Sequence, residues 1–379
     1  MKLKTLQFLL TLFISLLCLA TAHASTPSLQ QQLGQLLMVG FHGTELHDND
    51  PIVQDILAQR VGGVVLYAKD HQTKQIRNIK DPQQLAALTQ QLQRYALQAA
   101  RNYHNDLYPL LIAVDYEGGQ IVNLKPEASF PATQSAAGLG QQSPDKIKQA
   151  AEQMALTLKQ AGINFDFAPV LDVNVNPQNP IIAKYGRSFS SNPQQVATDA
   201  AIFSKAFRDQ HILCAYKHFP GHGSSTADSH LSLVDISKTW QRAELIPYQQ
   251  LSQHKDACDF VMTGHLVNHA LDPQDYPATL SHTMTTDLLR QQVGFKGLVI
   301  TDDLQMGAIN AHYDLATRVR LALQAGADML LFSNQLVKTP QNTQELLNIM
   351  QQQVQNGAIS PQQIAQSYQR VVRLKQGLR

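Results

Sequence analysis

Eight short apolar runs recur along this chain, nearly all followed by a helical pattern, and that alternation limits the fold more than any other feature. The runs are GQLLMVGF (34–41), GGVVLYA (62–68), PLLIAVD (109–115), NFDFAPVLDV (164–173), ILCAYKH (212–218), DFVMTGH (259–265), GLVITDD (297–303) and DMLLFSN (328–334). Most are continuously apolar, as strands buried on both faces must be. Such an alternation builds a parallel sheet, either closed into a (β/α)8 barrel or left open and doubly wound. Polar residues at the strand ends favour the barrel. Asp115, Asp172, Lys217, His218, His265 and Asp302 all fall at the C-terminal ends of their runs. A barrel gathers those ends on one face, whereas an open sheet strings them along a line. The expected fold class is therefore α/β, a single (β/α)8 TIM-type barrel.

Helix starts support the same reading. DPQQL (81–85), NPQQV (192–196) and SPQQI (360–364) each offer an Asp, Asn or Ser as N-cap followed by Pro at the first helical position. Leu85, Leu88, Leu92 and Tyr95 then recur at helical spacing, as do Ile364, Tyr368, Val371 and Leu374. These stripes are core faces and carry no functional expectation. No composition break marks a linker, so residues 25–379 are expected to form one domain.

Lys2 and Lys4 precede the apolar run FLLTLFISLLCLA, and Ala22-His23-Ala24 supplies small residues at a cleavage site. Residues 1–24 thus read as a signal peptide cut before Ser25, and the mature protein as periplasmic or secreted without a membrane span. The chain holds 30 Lys and Arg against 29 Asp and Glu, and losing Lys2 and Lys4 leaves one acid in excess. That balance gives no sign of a nucleic-acid or membrane-surface partner. Cys214 and Cys258 lie in the strand-like runs ILCAY and ACDFV. They are expected as buried thiols, with a disulfide left open.

Four stretches could carry chemistry. In VDYEGGQ (114–120), Asp115 ends a strand before Gly118-Gly119, where a carboxylate could bind sugar hydroxyls or merely close a turn. In NPIIAKYGRSFS (179–190), Arg187 could be a forked donor to ligand oxygens, or a solvated surface residue. In KHFPGHGSSTADSH (217–230), Asp228 and His230 are two apart and share a side of an extended segment. The carboxylate can then fix the imidazole tautomer and raise its pKa, which suits a general acid and base. Gly221, Gly223, Ser224, Ser225 and Thr226 would let that loop move. The rival reading is a metal site from His218, His222, Asp228 and His230, without the usual ligand spacing. In VITDDLQM (299–306), Asp302 and Asp303 are neighbours on a strand end and must face opposite ways. Asp302 is expected to point into the mouth, with Asp303 capping or structural.

Together and in this order, these stretches resemble glycoside hydrolase family 3, and most closely its bacterial β-N-acetylglucosaminidases of peptidoglycan turnover. The matching patterns are KHFPGHG at 217–223 with DSH at 228–230, D-x-EGG at 115–119 and FAPVLDV at 167–173. RSF at 187–189, MTGH at 262–265, GFKG at 294–297 and TDDL-x-M at 301–306 also match. The resemblance implies Asp302 as nucleophile, His230 as acid/base and Asp228 as its partner. It implies that Asp115, Arg187, Lys217 and His218 hold an N-acetylglucosamine in the −1 subsite, with no cofactor and no metal. The implied activity is a retaining exo-β-N-acetylglucosaminidase acting on peptidoglycan fragments or chitooligosaccharides. A family 3 phosphorylase using phosphate as acceptor, or a non-catalytic cell-wall glycan-binding protein, is the alternative. Two departures stand out. Asn123 occupies the place of a usual arginine, with Lys125 offset by two, and the recycling relatives are commonly cytoplasmic whereas this chain is expected to carry a signal peptide.

Overall fold

The computed structural model describes residues 27–103 and 108–378, so the leader expected at 1–24 lies outside the described residues. All eight expected strands form: β1 (Leu37–Gly40), β2 (Gly63–Val65), β3 (Leu111–Val114), β4 (Phe165–Asp166), β5 (Leu213–Phe219), β6 (Phe260–Thr263), β7 (Leu298–Thr301) and β8 (Leu330–Phe332). They pair parallel from β7 through β6, β5, β4, β3, β2 and β1 to β8. A parallel bridge between Ile300 and Met329 brings β7 against β8 and closes the barrel. Every residue of these eight strands is buried, which is why the runs lack alternation.

The fourth strand is shorter than its apolar run, and proline is the reason. Pro169 has no N–H for the ladder, and bridge pairing resumes at Val170–Lys217. The barrel axis is plugged rather than hollow. The Phe165 and Phe260 rings stack with centroids 4.4 Å apart, and Phe167 meets Phe165 edge-on at 5.1 Å. Chemistry is thereby confined to the barrel mouth.

The three helix starts hold. Helices α1 (Pro82–Asn102), α2 (Pro193–Asp209) and α3 (Pro361–Gln376) begin at prolines, and Asp81, Asn192 and Ser360 accept first-turn amide hydrogens. Each such cap contributes about 1 kcal/mol. No helix among the described residues is long and apolar enough to cross a membrane. One expectation needs correction: Cys214 and Cys258 are not free thiols but form a disulfide linking β5 to the approach of β6. Parallel pairing of these strands sets the two Cα atoms 4.9 Å apart, within bridging range.

Candidate functional site

At the C-terminal ends of the strands lies an open cavity of about 500 Å³, lined by Asp115, Arg187, Lys217, His218, Asp228, His230 and Asp302 among others. The structure therefore brings together all seven residues singled out from the sequence. Asp302 follows β7, its amide bonded to the Thr263 carbonyl on β6 (3.1 Å), and its Oδ1 accepts the Asp303 amide (2.8 Å). Burial works against its charge, yet His265, His218 and His230 outweigh it and hold the carboxyl below the ordinary carboxylate range. Asp303 lines the same cavity, but its carboxylate is engaged in holding the fold. Its carboxylate accepts the Ser333 hydroxyl and amide and the Gln305 amide, bracing β7 against β8. Burial pushes its pKa up to about 6.

The sugar-binding candidates form one charge-neutral cluster deep in the mouth. Lys217 Nζ lies 2.7 Å from both Asp115 Oδ1 and Glu117 Oε1. Arg187 makes a two-pronged contact to Glu117, with Nε and Nη2 each 2.7 Å from a carboxylate oxygen. Two cations thus face two carboxylates, as buried charges require. Burial would raise the Glu117 pKa, but Arg187 and Lys217 pull it down to about 2. Lys217 and Arg187, also buried, are held above their ordinary values by these same carboxylates. His218 Nδ1 sits 2.6 Å from Asp172 Oδ2, and its Nε2 is 3.3 Å from Arg187 Nη2. A guanidinium only donates. His218 Nε2 is therefore the acceptor, and Nδ1 carries the proton toward Asp172.

Glu117 and Asp172 were visible in the sequence, within EGG and at a strand end, but not as parts of this cluster. Only the fold reveals the partners that give them work. Asn123 also finds a place: its Oδ1 accepts the Ala68 amide (2.9 Å) while its Nδ2 donates to the Asp115 carbonyl (3.2 Å). It ties the end of β2 to the backbone of Asp115.

The loop after β5 divides in two. From Gly221 to Ser225 it is buried, with Asn179 Nδ2 donating to the His222 and Gly223 carbonyls and to Ser225 Oγ. Gly223 packs so tightly that an added Cβ would fall 1.6 Å from the Val173 carbonyl oxygen. This half is a packed anchor, not the loose hinge its small residues suggested; exposure begins at Thr226. The His222 ring is engaged by Ser225 and Ser229, and burial pushes its pKa down to about 4. His218, His222 and His230 each point to different partners. Among the described residues, no group of three His, Cys, Asp or Glu side chains is placed to hold a metal ion.

Beyond the anchor, Asp228 Oδ1 accepts both the amide of His230 (2.9 Å) and its Nδ1 (2.7 Å). This orients the ring and leaves Nε2 for the cavity. The His230 side chain is half-exposed, and its partial desolvation is outweighed by the Asp228 bond and the Asp302 charge, which raise its pKa. The Asp228 carboxyl is held low in turn by its bond to His230. The dyad is docked on the segment after Asp302, where the Gly307 and Ala308 amides donate to the His230 (3.1 Å) and Ser229 (3.3 Å) carbonyls.

Comparison with known proteins agrees with this fold. The model of the glycosyl hydrolase family 3 N terminal domain matches residues 28–374. A β-hexosaminidase from Alkalilimnicola ehrlichii is 34% identical over 306 residues, covering 79% of this chain and 80% of its own length. One from Thiobacillus denitrificans is 34% identical with 79% and 78% covered. A crystal structure of a β-N-acetylhexosaminidase from Beutenbergia cavernae superposes with a TM-score of 0.80 at 29% identity, covering 93% of this chain and 99% of that one. A family 3 β-N-acetylglucosaminidase from Paenibacillus sp. gives 0.81 at 33% identity and 93% coverage of this chain, which spans 63% of that longer one.

Proposed function

The chain belongs to glycosyl hydrolase family 3, and from that premise we propose that it is a retaining exo-β-N-acetylglucosaminidase. The observation that carries this reading is the docking of the Asp228–His230 dyad across the mouth that holds Asp302. A carboxylate held toward its ionised form and an imidazole whose pKa is raised, facing one cavity, are the two groups a double displacement needs. Asp302 attacks the anomeric carbon while His230 Nε2 protonates the departing oxygen, leaving a glycosyl ester on Asp302. The imidazole, now neutral, takes a proton from water as that water displaces the ester. In the reactive state the two groups stand roughly 5 Å apart across the sugar. Asp115, Arg187, Lys217 and His218 hold the −1 sugar, and the bidentate Arg187–Glu117 pair keeps that cluster rigid.

Extracytoplasmic substrates, peptidoglycan fragments or chitooligosaccharides, follow from the leader at 1–24. The Cys214–Cys258 bridge supports export, because such bonds persist in oxidising compartments. The test is a 2-deoxy-2-fluoro glycoside inactivator followed by peptide mass spectrometry, in which Asp302 should carry the label. A label on another residue, or an inverted product, would sink the mechanism. Sugar 1-phosphate formed in phosphate buffer would replace hydrolysis by phosphorolysis.

A further inference from the structure

Among the described residues, Leu231 is the most exposed large apolar side chain, at 79%, ahead of Ile76 at 55%. It is not a loose surface residue. It lines the cavity immediately after His230, and its amide bonds back to the Asp228 carbonyl (3.1 Å). The docking of His230 onto Gly307 fixes it from the other side, since a Cβ on Gly307 would fall 2.6 Å from the Leu231 carbonyl oxygen. Ile181, Tyr185, Met306 and Leu336 add further apolar surface to the same cavity. The cations that line it are committed, Lys217 and Arg187 to Asp115 and Glu117, and His230 when protonated to Asp228. Lys184 lies outside the lining, its Nζ 5.3 Å from the Tyr185 ring centroid. Asp228 and Asp302, meanwhile, present negative charge beside Leu231.

We propose that Leu231 determines leaving-group specificity, packing against the apolar face of an uncharged second unit and disfavouring one that carries a carboxylate. This rests on the hydrolase reading above, because the proton donor marks the side on which the leaving group departs. A pyranose offers an apolar C–H face to such a side chain, whereas an anionic substituent there meets two carboxylates and no unpaired lining cation. Partial burial of a leucine supports a discrimination of about tenfold.

The test compares kcat/KM for three substrates. N,N′-diacetylchitobiose has a neutral second unit, N-acetylglucosaminyl-N-acetylmuramic acid has a free lactyl carboxylate, and β-N-acetylglucosaminyl fluoride has no second unit. The wild type should prefer the neutral disaccharide over the acidic one by about tenfold. Leu231→Ala should lower the ratio of neutral disaccharide to fluoride by about tenfold, and Leu231→Arg should shift preference toward the acidic disaccharide. Equal wild-type rates on the two disaccharides would overturn the proposal, as would a Leu231→Ala loss shared equally by the fluoride. Hydrolysis of none of the three by the wild type would overturn the hydrolase reading itself, and this inference with it.

Discussion

Substituting Gly307 by alanine should uncouple the acid from the nucleophile without touching either. Gly307 starts a short helix after Asp302, and its amide holds the His230 carbonyl at 3.1 Å. A Cβ there would stand 2.6 Å from the Leu231 carbonyl oxygen and 2.8 Å from that of His230, well inside ordinary carbon–oxygen contact of about 3.3 Å or more. Both contacts are to backbone, so no side chain can swing away, and the 228–231 turn must retreat by about half an ångström or more. Displacement of a general acid on the order of 1 Å costs about 10²-fold in rate. Asp302 is held separately, by Thr263 and Asp303. The damage should therefore follow the need for a proton. With a 4-methylumbelliferyl N-acetylglucosaminide, kcat/KM should fall about 10²-fold. A 2,4-dinitrophenyl glycoside leaves without protonation, so its kcat/KM should fall far less, and azide should accelerate its turnover by replacing base-activated water. Equal losses on both substrates would show that Gly307 supports the whole mouth rather than the dyad, and would refute the reasoning.

Three further expectations follow from the geometry. Asp228→Asn removes the charge, and weakens the bond, that raise the His230 pKa. Because the first step needs protonated His230, kcat/KM falls as pH rises through that pKa, and in the variant this alkaline limb should move to lower pH; an unmoved limb assigns it to another group. Glu117, held at about 2 instead of the usual 4.5, contributes on the order of 3 kcal/mol of stability. A depressed pKa gives stability that is present above about pH 4.5 and lost toward pH 2, so urea unfolding should show the gap between wild type and Glu117→Gln narrowing over that range. The Cys214–Cys258 bridge closes a loop with a sequence separation of 44, worth about 4 kcal/mol by chain entropy. Reduction should lower the unfolding midpoint and expose two alkylatable thiols, and an unchanged midpoint would refute the assignment of that energy.

What the sequence disclosed and what it hid have a common physical basis. Strand runs and Pro-initiated helices are legible because burial and capping act on residues close in the chain, as at Asp81, Asn192 and Ser360. The Asp228–His230 dyad is legible for the same reason, its members being two residues apart. Glu117 is different: Arg187 lies 70 residues away, and nothing in EGG states which cation will arrive. The loose hinge expected of Gly221–Thr226 failed likewise, because the packing that binds it comes from Asn179 and Val173 on the preceding loop. Small residues read as freedom in one dimension, yet in three they admit close contact.

The charges of the mouth also explain why a histidine suits the acid's position in the proposed mechanism. Lys217 and Arg187 cancel Asp115 and Glu117. Asp302 and Asp228, both held toward the ionised form, face His230, and with its imidazole protonated these three reacting groups together carry a single negative charge. Forming the glycosyl ester consumes the charge of Asp302 as His230 gives up its proton, so that single negative charge is preserved across the step. A carboxylic acid in the same place would begin neutral, placing two unpaired carboxylates in the mouth before reaction, and would end as a fresh anion beside Asp228. Like charges at such a site raise one another's pKa, which would oppose both the ionisation of Asp302 and the release of the proton. On this reasoning, His230→Glu should be a poorer enzyme than the change in intrinsic acidity alone predicts. Adding Asp228→Asn should recover part of the loss by removing the neighbouring charge, and a double variant no faster than His230→Glu alone would refute the electrostatic account.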